Sequence, residues 1–204
     1  MFAATGTKRG AAIASIKSQP VYRPLGWDPS GRFHLVLADC FGMDRVRELL
    51  AESAPPATRV MIVPGGTARE PLVQGDTAAV EWFATPDLLE AGFREYLATA
   101  RMGLRAYLTG SEGFIWRLAA VGRRAGLGAG EMHLARCGTL ARRVYCVHCG
   151  SFLADVRANV VPCSGCGRHL FVRDHFSRHH AAYMGFQIDA EVPGEVPPVE
   201  EMYP

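Results

Sequence analysis

Four cysteines carry the clearest chemistry in this 204-residue chain. They form two knuckles of one plan, Cys146-Val-His-Cys149-Gly150 and Cys163-Ser-Gly-Cys166-Gly167, with thirteen residues between them. Two intervening residues let both sulfurs of a knuckle face one ion. The glycine that follows gives the backbone freedom to turn its amides toward the thiolates. Two such knuckles complete a tetrahedral four-thiolate site with no open position for water or substrate. The expected role is structural, one zinc ion held by Cys146, Cys149, Cys163 and Cys166. Iron fits the same four-sulfur geometry and would make the chain a rubredoxin-like electron carrier. The competing reading is two structural disulfides, which belong in oxidising compartments. Residues 1–19 contain Lys8, Arg9 and Lys17 but no apolar segment of the secretory kind, so a reducing, cytoplasmic setting is expected. No apolar run reaches membrane-spanning length.

The remaining candidates are weaker. His148 sits inside the first knuckle and His169 just after the second. Four thiolates already complete the site, so both read as bystanders. His175 and His179 share a face if their segment is helical, yet no carboxylate completes a metalloprotease motif. Cys40 and Cys137 stand alone, and small buried side chains are the default reading for them. Gly65-Gly66-Thr67 reads as a plain turn and not a phosphate loop.

The elements that position these residues fall into parts. Residues 1–30 form an N-terminal arm ending in turn chemistry, Pro24 to Gly31. Residues 31–138 alternate short apolar runs with helical patterns. Phe33–Ala38, Arg59–Val63, Ala79–Phe83 and Leu104–Leu108 read as buried strands. Met43–Ser53, Asp87–Ala100 and Ser111–Ala125 read as helices, capped at Thr85 (with Pro86 in the first turn) and at Ser111. Continuous apolar strands alternating with helices imply an α/β fold whose parallel sheet is covered on both faces. Residues 139–188 read as a zinc ribbon. Val144-Tyr145 leads into the first knuckle, Ser151–Val161 is a strand, a turn and a returning strand, and Leu170–Val172 is a further short strand. A module this small relies on its metal for folding free energy. Residues 189–204 hold five acids, four prolines and no base, and are expected to be an extended tail.

Charge is uneven although the net is only +2. Between His133 and His180 seven arginines face only Asp155 and Asp174, and lysine occurs only at positions 8 and 17. Arginine and aromatic residues near Phe171–Tyr183 suit an interface. A zinc-ribbon adaptor that binds nucleic acid is the alternative, which the modest net charge and acidic tail disfavour.

Resemblance extends this reading. Leu35-Val-Leu-Ala-Asp39, Val80-Glu-Trp-Phe83 and Tyr107-Leu-Thr-Gly-Ser-Glu-Gly-Phe114 resemble the pyridine-nucleotide half of ferredoxin reductases and siderophore-interacting flavin reductases. That likeness implies a ferredoxin-reductase-like nucleotide-binding fold with Asp39, Thr109, Gly110, Ser111 and Glu112 at the nucleotide cleft. The chain departs from it at Asp39-Cys-Phe-Gly-Met43, where the glycine-rich turn is missing, and no flavin-binding barrel is expected ahead of the domain. Over nearly the whole chain, the ribbon followed by Leu170-Phe-Val-Arg-Asp-His-Phe-Ser-Arg178 and Ala181-Ala-Tyr-Met-Gly185 resembles the DmmA subunit family of bacterial dimethylamine monooxygenase. That family implies a multi-subunit, NADPH-dependent haem enzyme that demethylates dimethylamine to methylamine and formaldehyde. NADPH, flavin, iron–sulfur and haem groups are then expected mainly on partner subunits. This chain is expected to be an accessory subunit beside reductase and haem-oxygenase chains, without a catalytic residue of its own. Arg173, His175, Phe176, Arg178, Tyr183 and Met184 are the expected docking residues, with the acidic tail lying along a basic partner surface.

Overall fold

The structure is a computed structural model that describes residues 18–66 and 79–204. The expectations for residues 1–17 and for Thr67 lie outside the described residues. Five strands make the first sheet: β1 (Phe33–Ala38), β2 (Thr58–Ile62), β3 (Ala79–Trp82), β4 (Leu104–Gly110) and β5 (Met132–Arg136). All pair in parallel, in the order β3-β2-β1-β4-β5. The central β1 and β4 are buried along almost their whole length, as strands covered on both faces must be. Leu35 and Leu37 face one layer, with α2 (Pro86–Thr99) and α3 (Glu112–Arg124). Val36 and Ala38 face the other, where α1 (Met43–Ala51) contributes Val46, Leu49 and Leu50.

Local chemistry sets the helix starts. Thr85 Oγ1 accepts from the Leu88 amide at 3.2 Å, and Pro86 occupies the first turn. Ser111 departs from expectation. It precedes α3 but makes no capping bond, because its hydroxyl is drawn to Asp39. β5 is an addition to the expected strands.

The second sheet contains β6 (Arg142–Cys146), β7 (Phe152–Val156), β8 (Val160–Pro162), β9 (His169–Ser177) and β10 (Ala182–Gln187), in the order β7-β6-β10-β9-β8. The strand-turn-strand expected over Ser151–Val161 is corrected here. β7 and β8 follow each other in sequence yet lie at opposite edges, since each pairs with a different neighbour. β10 fills the middle, parallel to β6 and antiparallel to β9. His175 lies in strand β9 and His179 in the turn after it, so the helical spacing between them does not exist.

One hydrophobic cluster runs through both sheets. Trp116 of α3 meets Phe176 of β9 at a centroid distance of 4.8 Å, and Phe176 meets Tyr183 at 5.1 Å. The C-terminal tail has no helix or strand of its own and is anchored near its end. Tyr203 is buried, Ala158 bridges to Glu201, and the Met202 and Tyr203 amides donate to the Arg157 carbonyl. The physical reason is an aromatic anchor: Arg142 lies between the Tyr183 and Tyr203 rings, 4.0 and 3.8 Å from their centroids, and pairs with Asp174 at 2.6 Å.

Candidate metal centre and the neighbouring cleft

The two knuckles are the turns of two hairpins, one between β6 and β7 and one between β8 and β9. Their hydrogen bonds repeat. The Cys146 amide donates to the Ser151 carbonyl at 2.9 Å, and the Cys163 amide to the Arg168 carbonyl at 2.8 Å. Gly150 and Gly167 donate back to the carbonyls of Cys146 and Cys163, with φ of +77° and +72°. Those angles suit glycine and strain other residues, which is why each knuckle ends in one.

All four sulfurs lie within 4.8 Å of one another. Cys146–Cys166 and Cys149–Cys163 are separated by 3.9 and 3.6 Å. A tetrahedron with metal–sulfur bonds of about 2.3 Å has sulfur–sulfur edges of about 3.8 Å, so the donor set fits one ion. A disulfide needs about 2.05 Å, and these cysteines are free thiols. The four-cysteine metal site is closed, with Cys146 and Cys163 buried and Cys149 at the surface. Burial pushes the Cys146 thiol up to about 11, while hydrogen bonds from the Ser151 side chain and backbone bring Cys149 down to about 6. A bound cation displaces the remaining protons.

Ser151 and Gly165 support the site and stand outside the C-x-x-C pattern. The Ser151 hydroxyl lies 3.3 Å from Cys149 Sγ, and a Cβ on Gly165 would collide with Ser151. His148 is exposed and does not join the donor cluster; its Nδ1 lies 3.1 Å from the Arg168 guanidinium. His169 is exposed.

Asp39, Thr109, Gly110, Ser111 and Glu112 come together at the carboxyl ends of β1 and β4. Asp39 accepts from the Ser111 amide at 2.9 Å, the Ser111 hydroxyl at 2.7 Å and the Phe41 amide at 3.0 Å. Gly110, at φ +143°, leaves the space in which that carboxylate sits. Thr109 is fully buried, its hydroxyl 3.5 Å from Cys137 Sγ. Glu112 turns inward and is 4% exposed. It accepts from Tyr22 Oη at 2.5 Å and from Tyr183 Oη at 3.4 Å. Burial and the Glu112 carboxylate push both phenols well above their ordinary range. Sequence reasoning placed Asp39 and Glu112 at this cleft and missed that both are engaged by the protein itself. Cys40, expected to be buried, is exposed beyond the end of β1.

The expected docking residues divide by face. Phe176 and Tyr183 are 6% and 4% exposed and point into the core, which corrects their assignment. Arg173, His175 and Arg178 are exposed. The outer face adds Arg143 over the Phe152 ring at 3.8 Å, His180 stacked on Tyr145 at 4.0 Å and Arg173 over Phe186 at 5.3 Å. No helix among the described residues is long and apolar enough to cross a membrane.

Comparison with known proteins places this arrangement. Residues 14–132 match the family described as dimethylamine monooxygenase subunit DmmA-like, N-terminal domain, and residues 143–186 match its C-terminal domain. The chain is 34% identical over 151 residues to the heme-dependent oxidative N-demethylase delta subunit of Ectopseudomonas mendocina (strain ymp), covering 70% of this chain and 86% of that one. A solved ferredoxin reductase of carbazole 1,9a-dioxygenase, in its FAD apo form, superposes with a TM-score of 0.41 at 16% identity, covering 56% of this chain and 37% of that one. With both models matched in order along one chain, this protein belongs to the DmmA-like family of dimethylamine monooxygenase subunits.

Proposed function

We propose that this chain is an accessory subunit of a haem-dependent oxidative N-demethylase that converts dimethylamine to methylamine and formaldehyde with electrons from NADPH. The carrying observation is the 34% identity to a heme-dependent oxidative N-demethylase delta subunit over most of both chains; the dimethylamine substrate and NADPH come from the family resemblance. The side chains support a non-catalytic part. The thiolate site has no open position, and Asp39 is held by Ser111 and Phe41 where a nucleotide cleft is expected. Zinc bound by Cys146, Cys149, Cys163 and Cys166 holds the ribbon, and redox groups reside on reductase and haem-oxygenase partners. The arginine–aromatic pairs on this face, the half-buried Arg143 over Phe152 and the exposed Arg173 over Phe186, are the surface offered to those partners.

Co-expression with the other demethylase subunits tests this. The chain is expected to co-purify with them, and its omission to lower dimethylamine turnover, while the isolated metal-replete chain oxidises no NADPH. Unchanged turnover without the chain, together with no co-purification, would refute the reading. A red iron–thiolate spectrum in the purified chain would favour the electron-carrier alternative instead.

A further inference from the structure

β5 is an edge strand, with β4 on one side only. The N-terminal arm runs beside it and is tied down at several points, among them Tyr22 and Asp28, whose carboxylate also meets Arg105 at 2.9 Å and, on β5 itself, His133 at 3.3 Å. Tyr22 binds Glu112 at one end, and the Asp28 amide donates to Tyr107 Oη at 2.9 Å at the other. Among the described residues no backbone hydrogen bond joins the arm to β5 between these two residues. The gap is a cavity of about 460 Å³ bounded by the arm, α3, β5 and Arg178 of the turn after β9.

Its walls are chemically two-sided. Trp116, Met132 and Leu134 form an apolar floor, while Arg23, Arg123 and Arg178 stand around the opening with no Asp or Glu among the lining residues. None of the three arginines has a carboxylate partner among the described residues. Arg123 lies 5.6 Å over the Trp116 ring and donates to the Arg178 carbonyl at 2.8 Å, which draws the two cationic residues together. Burial, then the Arg178 and Arg124 charges, lower the Arg123 pKa, so an anion here would relieve a standing repulsion. The volume falls within the usual range for small-molecule sites. It lies beside the N-terminal half of β5, away from the Asp39–Gly110 cleft at the strands' carboxyl ends.

We propose that this cavity binds a small amphiphilic organic anion, its ring or branched body on Trp116 and Met132 and its carboxylate or phosphate between Arg123 and Arg178. The inference stands independently of the demethylase assignment.

The test uses 8-anilinonaphthalene-1-sulfonate as probe on the full chain, by calorimetry and by tryptophan-excited emission. Saturable one-to-one binding is expected, with affinity reduced at least about tenfold in Arg123→Met/Arg178→Met. The neutral N-phenyl-1-naphthylamine is expected to bind at least about tenfold more weakly for the same reason. Trp116→Phe should remove most of the energy transfer. Arg178→Glu, at an exposed position, supplies a folded variant if the double one fails. Competition by benzoate and by phenyl phosphate identifies the preferred head group. Absence of saturable binding, unchanged affinity in a folded charge variant, or displacement by inorganic phosphate as effective as by phenyl phosphate would overturn the proposal.

Discussion

Asp39 and Ser111, 72 positions apart in sequence, are joined twice: Asp39 Oδ2 accepts from both the amide and the hydroxyl of Ser111. This clasp closes the end of the β1–β4 pair and sends the next residue, Glu112, into the core. Asp39→Ala leaves the Ser111 groups without their acceptor and is expected to destabilise the chain by about 1–3 kcal/mol, measured by denaturant unfolding. The conservative Asp39→Asn should retain part of that.

Glu112 joins the arm to the ribbon through Tyr22 and Tyr183. Glu112→Ala strands two phenol hydroxyls in the interior and is expected to cost about 2–4 kcal/mol. Tyr22→Phe removes the bond to Glu112 and leaves the Trp116 indole N–H, which donates to Tyr22 Oη at 2.8 Å, without its acceptor, an expected cost of about 1–3 kcal/mol. A stability of Glu112→Ala equal to the parent would show that this hub is not structural.

Metal analysis should return one ion per chain, and Cys163→Ser should lose it. Because Phe176 and Tyr183 pack on α3 through Trp116, the damage is expected to spread beyond the ribbon. Quenching of near-ultraviolet tryptophan dichroism, with helical far-ultraviolet signal largely retained, is the expected signature. Full metal retention by the variant would contradict a four-thiolate site.

Arg142 holds the C-terminal segment. Arg142→Met removes the cation from between Tyr183 and Tyr203 and its pair with Asp174, an expected loss of about 2–3 kcal/mol. Limited proteolysis should then cut within residues 190–202 faster than in the parent. An unaltered cleavage pattern would show that Tyr203 is held by other contacts.

His34 predicts acid sensitivity. Burial holds its pKa below the ordinary 6.5, with its Nδ1 3.0 Å from Tyr107 Oη. The unfolded chain therefore binds a proton that the folded chain refuses, so stability is full above about pH 6.5 and falls as pH drops below it. Melting temperature measured from pH 7.5 to 5.5 should decline, and His34→Gln should flatten that decline. An equal slope in the variant would assign the effect to other groups.

Much of this was legible in the residues. The buried β1, β2 and β4 announce themselves as apolar runs, Thr85-Pro86 marks a helix start, and the knuckles name their own ligands. β5 hid because Met132-His-Leu-Ala-Arg136 mixes buried and half-exposed positions at a sheet edge. β9 read short because Arg173, Asp174 and His175 are solvent-facing, although Leu170, Val172 and Phe176 keep the period of two that turns Phe176 inward. Proline and glutamate dominated the reading of residues 189–204 and masked the single aromatic, Tyr203, that anchors them. Composition carries no register, so neither the order β7-β6-β10-β9-β8 nor the engagement of Asp39 by Ser111 was accessible from it.

The middle position of β10 bears on how the molecule is assembled in time. The hairpins β6–β7 and β8–β9 pair residues close in sequence, which favours their early formation, whereas the strand that separates them comes last in the chain. Neighbouring strands lie about 4.8 Å apart, so β6 and β9 must wait roughly 10 Å from each other for β10 to arrive. An ion gripped by the tips of both hairpins would hold that spacing open and shorten the search that a non-local pairing otherwise demands. Refolding from denaturant should then accelerate when metal is supplied before dilution, and slow when it is withheld until afterwards. In that role the four sulfurs act on the rate of folding as well as on its endpoint.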